Sequence, residues 1–184
     1  MVTEPILFID ACVRKNSRTR RLAEALLSSF GKPYHVHDLS KLGLKPLDEK
    51  AIEHRDACIR HVNYQDYPLA KEFAKAGTIV IAAPHYDSSF PSALKVYLEN
   101  IYVMGLVTRY DASGRPVGLC KAEKLYYVAT SGGPMETRFG YEYVRALATE
   151  VFGIKETELI YVDNLDLIGV DGEKKVDEYI ASHF

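Results

Sequence analysis

TIVIAAPHYDSSFPSALKVYLENI, residues 78–101, decides the architecture of this chain. Its first part, TIVIAA (78–83), is a short apolar run without strict alternation, the pattern of a strand covered on both faces. Leu94, Tyr97, Leu98 and Ile101 then fall at i, i+3, i+4 and i+7, the stripe of a helix over 91–103. Between them lies a tight polar loop, Pro84 to Ser89, followed by Pro91, a residue suited to a helix start. A two-face-buried strand that feeds a helix through such a turn is half of a βαβ unit, so the stretch predicts a parallel sheet.

The same alternation runs outward in both directions. PILFID (5–10), KLYYVAT (124–130) and ELIYV (158–162) read as covered strands, and YHVHDL (34–39) alternates as an edge strand does. Helical stripes occupy 17–30 (Leu22, Leu26, Phe30) and 138–152 (Val144, Leu147, Ala148, Val151), and a last helix spans about 172–182. Gly153 reads as the stop of the 138–152 helix, and Gly105 as the stop of the 91–103 helix. Five strands and about five helices predict a three-layer α/β sandwich. The connection over 40–76 exceeds what one crossover needs, and its polar stretch DEKAIEHRDACIRH predicts an extra helix, either a lid or an oligomer contact.

Composition sets the outer bounds. The 184 residues are expected to form one domain, 1–184. A net charge of −2 argues against a protein held on nucleic acid or an anionic membrane by positive charge. With 47% hydrophobic and 26% charged residues, disordered and fibrous classes are excluded. The opening MVTEPILFIDACVRK has no basic segment before its short apolar run, so neither a signal peptide nor a membrane span is expected. Cys12, Cys58 and Cys120 fit neither a disulfide framework nor a C-x-x-C metal site, and a reducing cytoplasm follows as the expected location. His35 and His37 share one face of their strand while Asp38 faces away, so no metal site is expected there.

In an open parallel sheet the ligand crevice lies beyond the carboxyl ends of the strands. Three post-strand loops are therefore the candidate site. After the first strand, Asn16, Ser17 and Thr19 stand at a helix start, where hydroxyls and free N–H groups suit a phosphate. Arg14, Lys15, Arg18, Arg20 and Arg21 add cationic attraction for a dianionic monoester; the alternative is a capped surface helix with a solvated basic face. Neither G-x-G-x-x-G nor G-x-x-x-x-G-K-[ST] is present, which leaves a mononucleotide-type phosphate as the better ligand. In the second loop, Asp87, Ser88 and Ser89 serve equally as helix caps, Tyr86 as a core ring and His85 as a surface residue. In the third, Thr130, Ser131, Gly132 and Gly133 form either an ordinary turn or a backbone able to approach a flat ligand closely.

Taken together the three loops resemble the flavodoxin-like NAD(P)H:quinone oxidoreductases, in particular the FMN-dependent NADH-azoreductase branch. The residues from Ile81 to Tyr110, IAAPHYDSSFPSALKVYLENIYVMGLVTRY, are similar to that family's A-P-x-Y-N-F-x-x-P-x-x-L-K segment. The resemblance implies a flavodoxin-like five-stranded sheet of order 2-1-3-4-5, an FMN cofactor and NADH or NADPH as electron donor. It further implies two-electron transfer to a quinone, azo or related acceptor, and a homodimer with the site at the interface. By position it implies that Ser17, Arg18 and Thr19 cradle the FMN phosphate. Pro84, His85, Tyr86, Asp87 and Ser88 would run beside the isoalloxazine, with backbone N–H groups of 85–88 directed at its N5 and O4 edge. Ser131, Gly132 and Gly133 would approach the pyrimidine side, and Tyr110 would line the pocket across the dimer.

His85 or Tyr86 is the expected proton donor to the acceptor. Two departures from the family stand out. Asp87 replaces a customary Asn and is expected to turn away and cap the following helix, and Gly132 stands where the azoreductase branch carries Arg. Two rival readings are a one-electron carrier resembling flavodoxin, which the balance of −2 does not favour, and a flavin-free protein binding another phosphorylated ligand.

Overall fold

The computed structural model describes residues 5–184; the first four, part of the stretch read above for a leader, lie outside it. Strands β1 (Ile6–Asp10), β2 (Tyr34–Asp38), β3 (Thr78–Ala82), β6 (Lys124–Thr130) and β7 (Glu156–Val162) form one parallel sheet of order β2-β1-β3-β6-β7. Helices α1 (Arg18–Ser29) and α6 (Gly172–His183) cover one face. The other face carries α3 (Pro68–Lys75), α4 (Ser92–Ile101) and α5 (Tyr141–Ala146). The remaining elements are α2 (Glu49–Arg60) and a hairpin, β4 (Thr108–Tyr110) with β5 (Pro116–Gly118).

The core splits along the pleat, as a strand period of two dictates. Leu7, Ile9, Ile79, Ile81, Leu125 and Tyr127 pack with Phe73, Leu94, Leu98 and Val144. Ile6, Phe8, Val80, Ala82, Val128 and Ile160 pack on the opposite side with Leu22, Leu26, Leu27 and Val176. This two-sided burial is why the central strands read as unbroken apolar runs. At the edges, β2 exposes Tyr34 to Val36, and β7 exposes Glu156, Glu158 and Tyr161, so its apolar run is half open.

Several expectations need correction. The helix expected over 91–103 ends at Ile101, so Gly105 stops no helix and lies in the turn into β4. The helix expected over 138–152 begins at Tyr141 and widens into a π-helical turn over Leu147–Phe152 before Gly153 closes it in the left-handed region. The β4–β5 hairpin, whose strands are too short to show a period, packs there backbone to backbone. A Cβ on Gly118 would lie 2.2 Å from the Gly153 nitrogen, which requires glycine at that contact. The extra helix expected within 48–61 is α2.

His37 is a core residue, buried on β2 with Nδ1 2.8 Å from the Tyr97 hydroxyl and Nε2 2.8 Å from a Glu72 carboxylate oxygen. Among the described residues His37 is the only hydrogen-bond partner of that fully buried hydroxyl. His37→Phe is expected to lower stability by about 1–3 kcal/mol, the penalty of an orphaned buried polar group. An unchanged urea midpoint in this variant would refute the account. Val62, largely exposed, takes the left-handed place after α2 that glycine normally fills, with the Asn63 N–H on the Cys58 carbonyl and the Val62 N–H on that of Ile59. Val62→Gly should therefore stabilise the fold by about 0.5–1 kcal/mol, read as a raised thermal midpoint.

Candidate functional site

The three post-strand loops meet at one end of the sheet. A polar pocket of about 170 Å³ is lined there by Arg14, Asn16 to Thr19, Pro84 to Tyr86, Thr130 to Gly132, Leu165 and Asp166. Tyr86 is shared with a wider and more apolar cleft of about 730 Å³, flanked by Val13, Asp87, Phe90, Phe139 and Tyr143. A small polar hole that shares one aromatic wall with a larger apolar cleft suits a molecule with an anionic tail and a flat head.

In the first loop, Ser17 caps α1 by accepting the Arg20 N–H at 3.2 Å. The N–H groups of Arg18 and Thr19 have no acceptor among the described residues, and both residues line the polar pocket at the positive end of the helix. Thr19 is buried and shares a 2.6 Å hydrogen bond with the Thr130 hydroxyl, tying the first loop to the third.

The cationic set is largely internal rather than poised for a ligand. Arg20 Nε lies 2.5 Å from the buried Asp10 carboxylate, and its other nitrogens donate to the carbonyls of Cys12, Arg14 and Lys15. Arg18 pairs with Asp166 at 2.7 Å, and Arg21 with Glu173 at 2.9 Å and Asp177 at 3.3 Å. Arg14 has no carboxylate partner among the described residues; it sits 5.9 Å from the centre of the Tyr86 ring and lines the pocket. Arg20 is thus a loop staple, and Arg14 is the better placed free cation.

The second loop is a two-residue reverse turn. Tyr86 and Ser89 exchange N–H···O bonds of 2.7 and 2.8 Å, and Asp87 and Ser88 both adopt positive φ (48° and 65°). That turn tolerates Asp at its first central position, as it tolerates Asn. The expectation that Asp87 caps the next helix fails, because α4 begins after Pro91 without a side-chain cap. The idea that all N–H groups of 85–88 face a ligand is also narrowed. His85 donates to the Thr130 carbonyl and Tyr86 to Ser89, so only those of Asp87 and Ser88 lack an acceptor among the described residues. Burial holds the His85 imidazole below its usual pKa, partly opposed by Glu136, so the ring is neutral at pH 7.

In the third loop the carbonyls of Ser131, Gly132 and Gly133 accept from Leu165, Asp166 and Asn164. Ser131 N–H is taken by Val162, while those of Gly132 and Gly133 have no acceptor among the described residues. A Cβ on Gly132 would lie 2.4 Å from Asp166 Oδ2, so the carboxylate that pairs with Arg18 occupies the space an Arg at this position would need. Asp87, Ser88 and Gly133 stand outside the polar pocket, and Tyr110, half exposed on β4 with its hydroxyl 3.2 Å from that of Tyr102, reaches neither cavity of its own chain. Sequence reading missed Asp10, Leu165 and Asp166; position after a sheet strand was the one available signal for Asp166. Cys12 is buried and its thiol is pushed well up, chiefly by desolvation, so it is inert packing rather than a reactive group.

The fold and this site define a flavodoxin-type α/β protein with an anion pocket where the strand order reverses. The chain belongs to the Flavodoxin_2 family, whose model, described as a flavodoxin-like fold, matches residues 4–183. An FMN-dependent NADH:quinone oxidoreductase of Clostridium perfringens is 40% identical over 194 residues, covering 95% of this chain and 93% of that relative. Another so named, from Coprothermobacter proteolyticus, is 30% identical over 197 residues, covering 94% of this chain and 92% of its own. The solved FMN-dependent NADH-azoreductase of Bacillus anthracis in complex with FMN shares the fold with a TM-score of 0.79 at 17% identity, covering 97% of this chain and 96% of its own.

Proposed function

We propose that this chain is an FMN-dependent oxidoreductase that carries two electrons from NADH to a quinone, azo or related acceptor. The observation that carries this reading is the polar pocket itself. Residues whose helix-start and glycine N–H groups lack an acceptor among the described residues line one small hole, with Arg14 beside it and an apolar cleft adjoining it. When bound, FMN supplies the hydride-accepting and electron-donating chemistry. Ser17, Arg18 and Thr19 hold the phosphate through backbone N–H groups and the helix dipole, with Arg14 as the neutralising cation. Pro84 to Ser88 and Ser131 to Gly133 flank the ring, and the N–H groups of Asp87, Ser88, Gly132 and Gly133 are the fixed dipoles available to stabilise negative charge there.

Because His85 is neutral at pH 7, it is a weak proton source, and Tyr86 or solvent delivers the proton to the acceptor. Val13, Tyr110 and Phe139 expose apolar surface, which supports a homodimer in which a second copy walls the cleft and contributes Tyr110. One domain over 1–184 is supported by the single large sheet with its two packed faces. Three free cysteines support a reducing, cytoplasmic setting, and among the described residues no helix is long and apolar enough to cross a membrane.

The deciding experiment mixes the FMN-loaded chain with NADH under anaerobic conditions and no other protein. Loss of the yellow colour, followed by its return on adding a quinone, is the expected result, with parallel double-reciprocal lines in the steady state. A flavin that NADH leaves oxidised would favour the one-electron carrier. A chain that takes up no FMN would favour another phosphorylated ligand.

A further inference from the structure

Outside the loops described above, α2 and the turn after it bring three metal-ligating groups to one point. His54 Nε2 lies 3.0 Å from Asp66 Oδ2 and 3.5 Å from Cys58 Sγ, and the three ligand atoms all lie within 4.8 Å of one another. Among the described residues it is the only group of three His, Cys, Asp or Glu side chains so placed. We propose that His54, Cys58 and Asp66 bind one divalent transition cation, zinc foremost, with a fourth position open to water.

Two of the three ligand–ligand separations correspond to tetrahedral edges. With Zn–S about 2.3 Å and Zn–N about 2.0 Å, an N···S edge comes to about 3.5 Å, and an N···O edge to about 3.3 Å, close to the two separations seen here. Both Cys58 and Asp66 approach the same ring nitrogen, which has at most one proton to offer them. A cation at their common focus satisfies all three at once. A thiolate and a carboxylate together balance its double charge, and Cys58 releases its proton to solvent on binding. The thiol, with imidazole, selects a borderline-soft ion over magnesium or calcium.

The local chain is built to hold this arrangement. His54 and Cys58 stand one helical turn apart on α2. The left-handed residue Val62 then reverses the chain so that Asp66 returns over His54, whose ring stacks on Tyr67 with centroids 6.3 Å apart. Cys58 is buried while His54 and Asp66 are exposed, so the ion enters from solvent and rests on the protein side against sulfur. Bound there, it would clamp α2 to the segment leading into α3, within the connection longer than one crossover needs. This inference stands independently of the flavin reading.

The test uses the full chain, stripped with a chelator, dialysed against micromolar zinc and examined for metal content and by X-ray absorption at the zinc edge. One zinc per chain is expected, with one sulfur in its coordination shell. Cys58→Ser should lose that sulfur and bind at least about tenfold more weakly. Asp66→Asn, an exposed change that leaves the fold intact, should weaken binding about tenfold as well. Zinc retained equally by both variants, a shell of nitrogen and oxygen alone in the parent chain, or no retained zinc would each overturn the proposal.

Discussion

Ser17→Asp is expected to weaken FMN binding by about 100-fold while leaving riboflavin binding and the thermal midpoint unchanged. Ser17 caps α1 through its side-chain oxygen, and Asp is an equally good cap whose charge favours a helix N-terminus, so the helix keeps its start. The new carboxylate faces the place assigned to a dianionic phosphate. Two unit charges about 4 Å apart in an effective dielectric near 20 repel by roughly 4 kcal/mol, and solvent screening brings this toward the roughly 2.7 kcal/mol that a 100-fold loss represents. Riboflavin lacks the phosphate and serves as the internal control. Equal losses for the two flavins, or none for either, would remove the first loop from the phosphate site.

The second large effect concerns Arg20, which the structure turns from a ligand into a positioning residue. Its guanidinium joins Asp10 at the end of β1 to the carbonyls of Cys12, Arg14 and Lys15, and Asp10 in turn accepts the Cys12 N–H at 2.9 Å. The whole loop before α1 is therefore gathered around one side chain. Arg20→Ala leaves the buried Asp10 without its cation, and a loss of about 3–5 kcal/mol is expected by urea unfolding. Arg20→Lys restores the charge but not the planar fork that serves several acceptors. That variant should recover most of the stability yet bind FMN at least about tenfold more weakly than the parent, because the loop carbonyls are no longer held. Wild-type FMN affinity in Arg20→Lys would show that the staple supports the fold alone.

Much of the sheet was legible because burial imposes its period on the residues themselves. β6 falls on the stretch read as a strand, and the stripe Leu94, Tyr97, Leu98 and Ile101 is buried as its spacing demands. The hairpin of β4 and β5 escaped because three-residue strands carry no period, and the π-turn over Leu147–Phe152 escaped because its buried residues, Val144, Ala148 and Phe152, stand four apart, a spacing that an α-helical stripe also contains. Asp87 misled for a different reason. Asp is favoured both at helix caps and in left-handed turns, and only the paired hydrogen bonds of Tyr86 and Ser89 decide between them. His37 read as one of two strand imidazoles, yet its partners Glu72 and Tyr97 come from helices 35 and 60 residues further along the chain.

What this sequence determined by itself is the alternation of elements, the three loops at the ends of the strands and their stock of hydroxyls, glycines and cations, since hydrophobic period and turn chemistry act within a few residues. Tertiary structure alone decided which of those groups remain free for a ligand. Arg18 and Arg21 are neutralised by Asp166, Glu173 and Asp177, about 150 residues away. The backbone N–H groups of His85 and Ser131 are claimed by neighbouring strands, while those of Gly132 and Gly133 have no acceptor among the described residues. A charge or an N–H acquires its role from the partner that folding brings within about 3 Å, and that partner stands anywhere along the chain.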